Sequence, residues 1–143
     1  MANRINTEKR PLKISLSGLE IEMFLLNKDG MIVNNADLLI KRLKNIQNTN
    51  IKKECSLNLI EIAALPGKTI PNTMLYLLEE LESLNEIAQK EGIMLLPLGT
   101  YPGSFIPSMR DDKPYKIKES IFGKNRFKIA GRCAGFHYHY TLP

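Results

Sequence analysis

Hydrophobic positions change their period several times along this chain, and each change predicts an element. Over residues 13–26, Leu19, Ile21 and Met23 alternate with Gly18, Glu20 and Glu22, the two-residue period of a strand with one buried face. The Asp-Gly pair in "NKDGM" predicts a tight hairpin turn into a short return, "MIV" at 31–33. From Ala36 the period lengthens. Leu38, Leu39, Leu43 and Ile46 recur at helical spacing, Asn34 and Asn35 can cap the start, and "NTN" at 48–50 ends the run. A second strand is predicted within residues 53–65. "PGKTIP" then leads into the longest helix, roughly residues 71–90, with Met74, Leu77, Leu78, Leu81, Leu84, Ile87 and Ala88 on one face and Gly92 as its stop. "IMLLPLGTYP" reads as a buried strand ending in a turn, and residues 103–114 as an irregular exposed loop. A short helix over 115–122 and a final strand within 126–143 complete the pattern.

The order of elements opens on a hairpin, so the sheet is expected to be largely antiparallel with helices packed on one side, an α+β fold. Residues 1–12 are polar and aperiodic and read as a disordered terminus, leaving 13–143 as one domain. The apolar runs fall far short of the roughly 20 residues that span a bilayer, which argues against a membrane protein. Cys55 and Cys133 are too few for a disulfide framework and no leader-like segment precedes the first strand, so reduced thiols in the cytoplasm are expected. A net charge of +5 suits anionic partners such as nucleotides, phosphates or nucleic acid. The basic residues gather late: Arg110, Lys113, Lys116, Lys118, Lys124, Arg126, Lys128 and Arg132 surround only Asp111, Asp112 and Glu119.

Candidate chemistry follows from the strand parity. Gly18, Glu20 and Glu22 share a face; Glu61 interrupts the apolar run of Leu59, Ile60 and Ile62; His137 and His139 share a face opposite Phe136, Tyr138 and Tyr140. Taken singly, these are what a solvated face of an antiparallel sheet also shows, and the late basic run reads equally as a solvated face or a phosphate-binding one. If the three strands lie in one sheet, three carboxylates and an imidazole converge, and cations are needed to offset their repulsion. Carboxylate oxygens favour Mg²⁺ or Mn²⁺, and an imidazole suits Mn²⁺ as well. There is no glycine-rich phosphate loop and no serine elbow, and Cys133 reads as a small, partly buried residue rather than a nucleophile.

"GLEIEMFLL", "ECSLNLIEIAALPG", "LLPLGTYP" and "CAGFHYHYTLP", in that order, resemble the carboxylate-amine ligase family, the bacterial and archaeal type of glutamate-cysteine ligase. The resemblance runs from about Ser17 to the end. It implies a catalytic fold related to glutamine synthetase and the guanidino kinases, with a curved antiparallel sheet that cradles ATP and metal. Gly18, Glu20 and Glu22 match the family's opening motif. Glu61 matches its later strand glutamate, Glu54 an acidic position seven residues earlier, and Gly135, His137 and His139 its closing Gly-x-His-x-His strand. The turn at Gly99–Pro102 matches as well, although the family more often has His where this chain has Tyr101.

By that resemblance Glu20, Glu22 and Glu61 are the catalytic carboxylates and, with His137 and His139, the metal ligands. Charge and position, rather than the resemblance, single out Arg126 or Arg132 as the expected phosphate or substrate contact. The implied reaction is ATP-dependent: a glutamate γ-carboxylate is phosphorylated, and the amine of cysteine or another acceptor attacks the acyl phosphate. Family members continue beyond the His-x-His strand, so the chain is expected to be the N-terminal portion of a catalytic domain with little activity alone. Its oligomeric state, a homo-oligomer included, is left open. Two other readings stand beside this one: a metal-dependent oxygenase or hydrolase in which His137, His139 and a glutamate hold Fe²⁺ or Zn²⁺, and a nucleic-acid-binding module built on residues 110–132.

Overall fold

A computed structural model of the chain describes residues 15–44 and 50–141. The expected disorder at 1–12, the strand start at Lys13, Ile46 and most of "NTN" lie outside these residues. The elements run β1 (Ser17–Leu26), α1 (Ala36–Lys44), β2 (Ile51–Lys53), β3 (Leu59–Ala63), α2 (Ile70–Lys90), β4 (Met94–Leu96), α3 (Lys113–Phe122), α4 (Lys124–Ala130) and β5 (Phe136–Tyr140).

Every pairing in the sheet is antiparallel, as the α+β reading expects, and β1 is its centre. One edge of β1 takes β3, with β2 beyond it; the other takes β5 along Ser17–Ile21 and β4 along Phe24–Leu26. With both edges occupied there is no room for the predicted return strand. The turn exists, with Gly30 at φ 75° and the Asn27 side chain accepting the N–H groups of Asp29 and Met31. The "MIV" return, however, shrinks to a single bridge between Leu26 and Ile32.

The odd residues of β1, Leu19, Met23 and Leu25, are buried under α1 and α2 together with Leu39, Leu43, Ile60, Ile62, Leu84 and Ala88. Helix α2 is framed by local chemistry. Thr69 accepts the Asn72 N–H as N-cap, and Pro71 occupies the first turn, where no N–H is needed. Gly92 at φ 69° closes it with Gly92 N–H to Gln89 and Ile93 N–H to Ala88, the paired bonds of a Schellman turn. The helix sits one residue earlier than predicted, and its predicted stripe is too wide: Met74 and Leu78 are exposed, and Thr73 is buried instead, its hydroxyl donating to the Ser17 carbonyl. At α1, the Asn35 carbonyl accepts the Leu39 N–H, while the Asn34 amide reaches Ser108 rather than capping.

The strand predicted within 53–65 is β3, and a further short strand, β2, precedes it across the reversal at Glu54–Asn58. Three further expectations are corrected. The buried strand at "IMLLPLGTYP" is only the three half-exposed residues of β4, since Pro97 lacks the N–H to extend the ladder. The first part of the predicted last strand is the helix α4, divided from α3 by Gly123 at φ 82°. The loop after β4 is also less exposed than expected, for Pro107 and Arg110 are buried.

The even face of β1 changes character along its length. Gly18, Glu20 and Glu22 are followed by Phe24, wholly buried against the rings of Tyr101 and Phe105. The helix-side core depends on α2, so Leu84→Ala should lower the unfolding free energy by about 2–5 kcal/mol in urea titration; a loss near zero would contradict α2 as the cover of the sheet.

Candidate active site

Register decides the site. Antiparallel pairing sets Glu22 opposite Glu61, Glu61 opposite Lys52, Glu20 opposite His137 and Gly18 opposite His139. The three strands that carry the predicted residues are therefore neighbours in one sheet, with the charged faces coincident. A slip of β1 by one residue would turn Glu20 and Glu22 toward the helix core.

The residues form two groups rather than one. Glu20, His137 and His139 bring ligand atoms within 4.8 Å of one another, and Glu22, Glu54 and Glu61 do the same. In the first group, His139 Nε2 lies 3.0 Å and His137 Nδ1 3.4 Å from the same Glu20 oxygen, Oε2. Partial burial pushes the Glu20 carboxyl upward, but His139, Lys52 and His137 together hold it below its usual value. The missing side chain of Gly18 leaves room here, since a Cβ would stand 3.4 Å from that of His139.

In the second group, Glu22 is held on both sides by Gly135. The Gly135 N–H donates to Glu22 Oε2 at 2.8 Å, and the Glu22 N–H donates to the Gly135 carbonyl at 2.9 Å. Glu61 is 9% exposed. Burial, the adjoining Glu54 and the charge of Glu20 raise its carboxyl to about 7, against the opposing pull of Lys52, whose Nζ lies 3.6 Å from Oε1. Like charges directly across a ladder are destabilising. A hard divalent cation among three carboxylate oxygens removes that repulsion, so the donor set fits Mg²⁺ or Mn²⁺, and the Glu-His-His group fits Mn²⁺. Glu54 was visible in the sequence only as an acidic position shared with the ligase family. It lies just past β2, where no strand period marks it.

Beside the carboxylates opens a cavity of about 710 Å³, lined by Glu22, Glu54 and His137 on the sheet side and by Lys118, Phe122 and Arg126 on α3 and α4. Of the two arginines predicted as phosphate contacts, Arg126 thus faces the carboxylates across the cavity. Arg132 lies outside the lining, its guanidinium 5.5 Å above the Phe105 ring. Arg110, counted above among surface cations, is buried, and Lys116 pairs with Asp111 at 2.9 Å. Cys133 and Cys55 line the same cavity, but Cys55 is buried, and its thiol is pushed up to about 11 by burial and by Glu54 and Glu22, which makes it a poor nucleophile. Cys133 is exposed, not partly buried as expected. Tyr101 packs on Phe105 and donates to the Gly30 carbonyl at 2.7 Å, so its role is structural.

The glutamate-cysteine ligase family 2 model matches residues 16–143. The crystal structure of a bifunctional glutathione synthetase from Pasteurella multocida is similar to 90% of this chain, with a TM-score of 0.61 and 20% sequence identity; the chain spans 17% of that protein. A likeness at that identity concerns the fold. No curated protein matches the chain.

The raised Glu61 carboxyl sets a pH dependence for the metal-free chain. Unfolded glutamate ionises near 4.5, whereas folded Glu61 keeps its proton up to about 7. Stability is therefore fully present at low pH and falls as pH rises between those values. Denaturant titrations at pH 5 and 8 with chelator should show the fall, and Glu61→Gln should flatten it. An unchanged slope in that variant would assign the dependence elsewhere.

Proposed function

We propose that this chain, which belongs to the glutamate-cysteine ligase family 2, carries the carboxylate-activating part of an ATP-dependent carboxylate-amine ligase. The substrates proposed are glutamate as the acid and cysteine, or another amine, as the acceptor. The observation that carries this reading is the Glu22–Glu61 register with Glu54 beside it, next to the Glu20–His137–His139 group and facing Lys118 and Arg126 across one cavity.

Each side of the cavity has a task in such a reaction. Glu22, Glu54 and Glu61, and Glu20 with His137 and His139, would hold Mg²⁺ or Mn²⁺, which would supply positive charge against phosphate and carboxylate groups. Glu22, oriented by Gly135, and Glu54 stand at the cavity wall, and Glu61 is fixed by its strand opposite Glu22. Lys118 and Arg126 offer donors for phosphate or for a free carboxylate. Phe122 and Phe127 give the cavity an apolar side. Transfer of this kind needs no enzyme nucleophile, consistent with the inert thiol of Cys55. Arg132 remains a phosphate contact only if it leaves Phe105. A cytoplasmic location suits the two free thiols, and among the described residues no helix is long and apolar enough to cross a membrane. The 143 residues are assigned the metal-binding wall rather than full turnover, in keeping with the 17% of the similar structure that they span.

One observation favours a second reading. Glu20, His137 and His139 together have the composition of a two-histidine, one-carboxylate metal site. Tight, stoichiometric iron or zinc retained through purification would support an oxygenase or hydrolase instead.

Titration of Mn²⁺ with ATP onto the chain should give nucleotide-dependent binding that weakens at least ~10-fold in a Glu20→Gln, Glu22→Gln double variant. Equal affinity in parent and variant removes the proposed site. Release of phosphate with glutamate and cysteine should be slight for the chain alone, and robust release would refute its assignment to a part of the enzyme.

A further inference from the structure

We infer that Arg110 is a positioning residue for the Glu22–Glu54–Glu61 group, acting through the main chain of Glu54. The inference rests on reading those carboxylates as a cation site. Glu22 and Glu61 owe their places to the β1–β3 ladder. Glu54 has no such support, since it follows the last residue of β2 and precedes the bridge of Ser56 with Met109.

What holds Glu54 comes instead from the loop between β4 and α3. Arg110 has a side chain only 3% exposed. Its Nε donates to the Glu54 carbonyl at 2.6 Å, and its Nη1 donates to Asp37 Oδ1, in the first turn of α1, at 2.7 Å. The Arg110 N–H donates to the Cys55 carbonyl at 2.9 Å, and the Leu57 N–H to the Ser108 carbonyl at 2.9 Å. Successive carbonyls, Glu54 and Cys55, are therefore both gripped by one residue. With its main chain so fixed, Glu54 turns its carboxylate back onto the Cys55 N–H at 3.1 Å and toward its two partners.

The geometry requires a fork. One donor must reach a carbonyl while a second, rigidly offset from it, reaches a carboxylate, and a planar guanidinium does both at once. The single ammonium of lysine keeps the charge opposite Asp37 but cannot span the two acceptors. Loss of the fork frees the Glu54 peptide, and the group is left with the two carboxylates of the ladder.

Mn²⁺ binding to the full chain, followed by the loss of the free-ion electron paramagnetic resonance signal, tests this with parent, Glu54→Gln, Arg110→Lys and the double variant. Each single change should weaken binding about 10-fold, and the double variant should bind no more weakly than Glu54→Gln, because Arg110 works through that residue. Parent-like affinity in Arg110→Lys, or losses that multiply in the double variant, overturns the inference while leaving the cation site standing. A parent that binds no Mn²⁺, or a Glu54→Gln variant that binds like the parent, removes the cation-site reading and this inference with it. Should Arg110→Lys fail to fold, Asp37→Asn, which loosens the same fork from its other end, must show the same dependence on Glu54; if it does not, the inference is wrong.

Discussion

The antiparallel register of β1 with β3 and β5 is the constraint on which the molecule turns. It sets Glu22 against Glu61 and Glu20 against His137, and the same alternation sends Leu19 and Met23 into the core beneath α1 and α2. Function and folding are thus coupled by one geometric fact. The apolar face gains its stability from burial only in the register that also crowds the carboxylates. A sheet free to slip would relieve the repulsion, and the helix-side core forbids the slip.

That crowding leaves a structure stable for reasons that lie elsewhere. Glu61 is buried among like charges with one lysine in reach, an arrangement that lowers stability in the absence of a cation. Local rules broken in this way, without compensation nearby, are what functional sites show. On the same face one step along the strand, the charged positions give way to buried Phe24, packed against the rings of Tyr101 and Phe105.

The second wall is built by a different logic. Helices α3 and α4 bury little of their own surface, Phe127 being the buried apolar side chain in them. They are tied down through close approach. Gly131 is packed so tightly that a Cβ would fall 2.7 Å from that of Pro107, and its carbonyl accepts the Asn58 amide. Lys118 and Arg126 are thereby brought opposite the carboxylates, so a basic wall and an acidic one, far apart along the chain, enclose one cavity.

Short-range physics makes much of this legible in the residues alone. The two-residue period around Glu20 and Glu22, the turn at "PGKTIP", the Gly92 stop and the parity of His137 and His139 are local properties, and they determined the strand faces, the long helix and the α+β class. Where local signals conflicted they misled. "SLN" reverses the chain without the glycine that marks a hairpin, and Phe127 and Ile129 alternate like a strand inside α4. Tertiary structure alone decided which strands are neighbours, how the ligands divide into two groups, that Glu54 joins one of them, and that Arg110 is buried. Each of these depends on contacts between residues tens of positions apart, and the energies that select them, pairing, burial and the fork of one guanidinium, exist only once the chain has closed on itself.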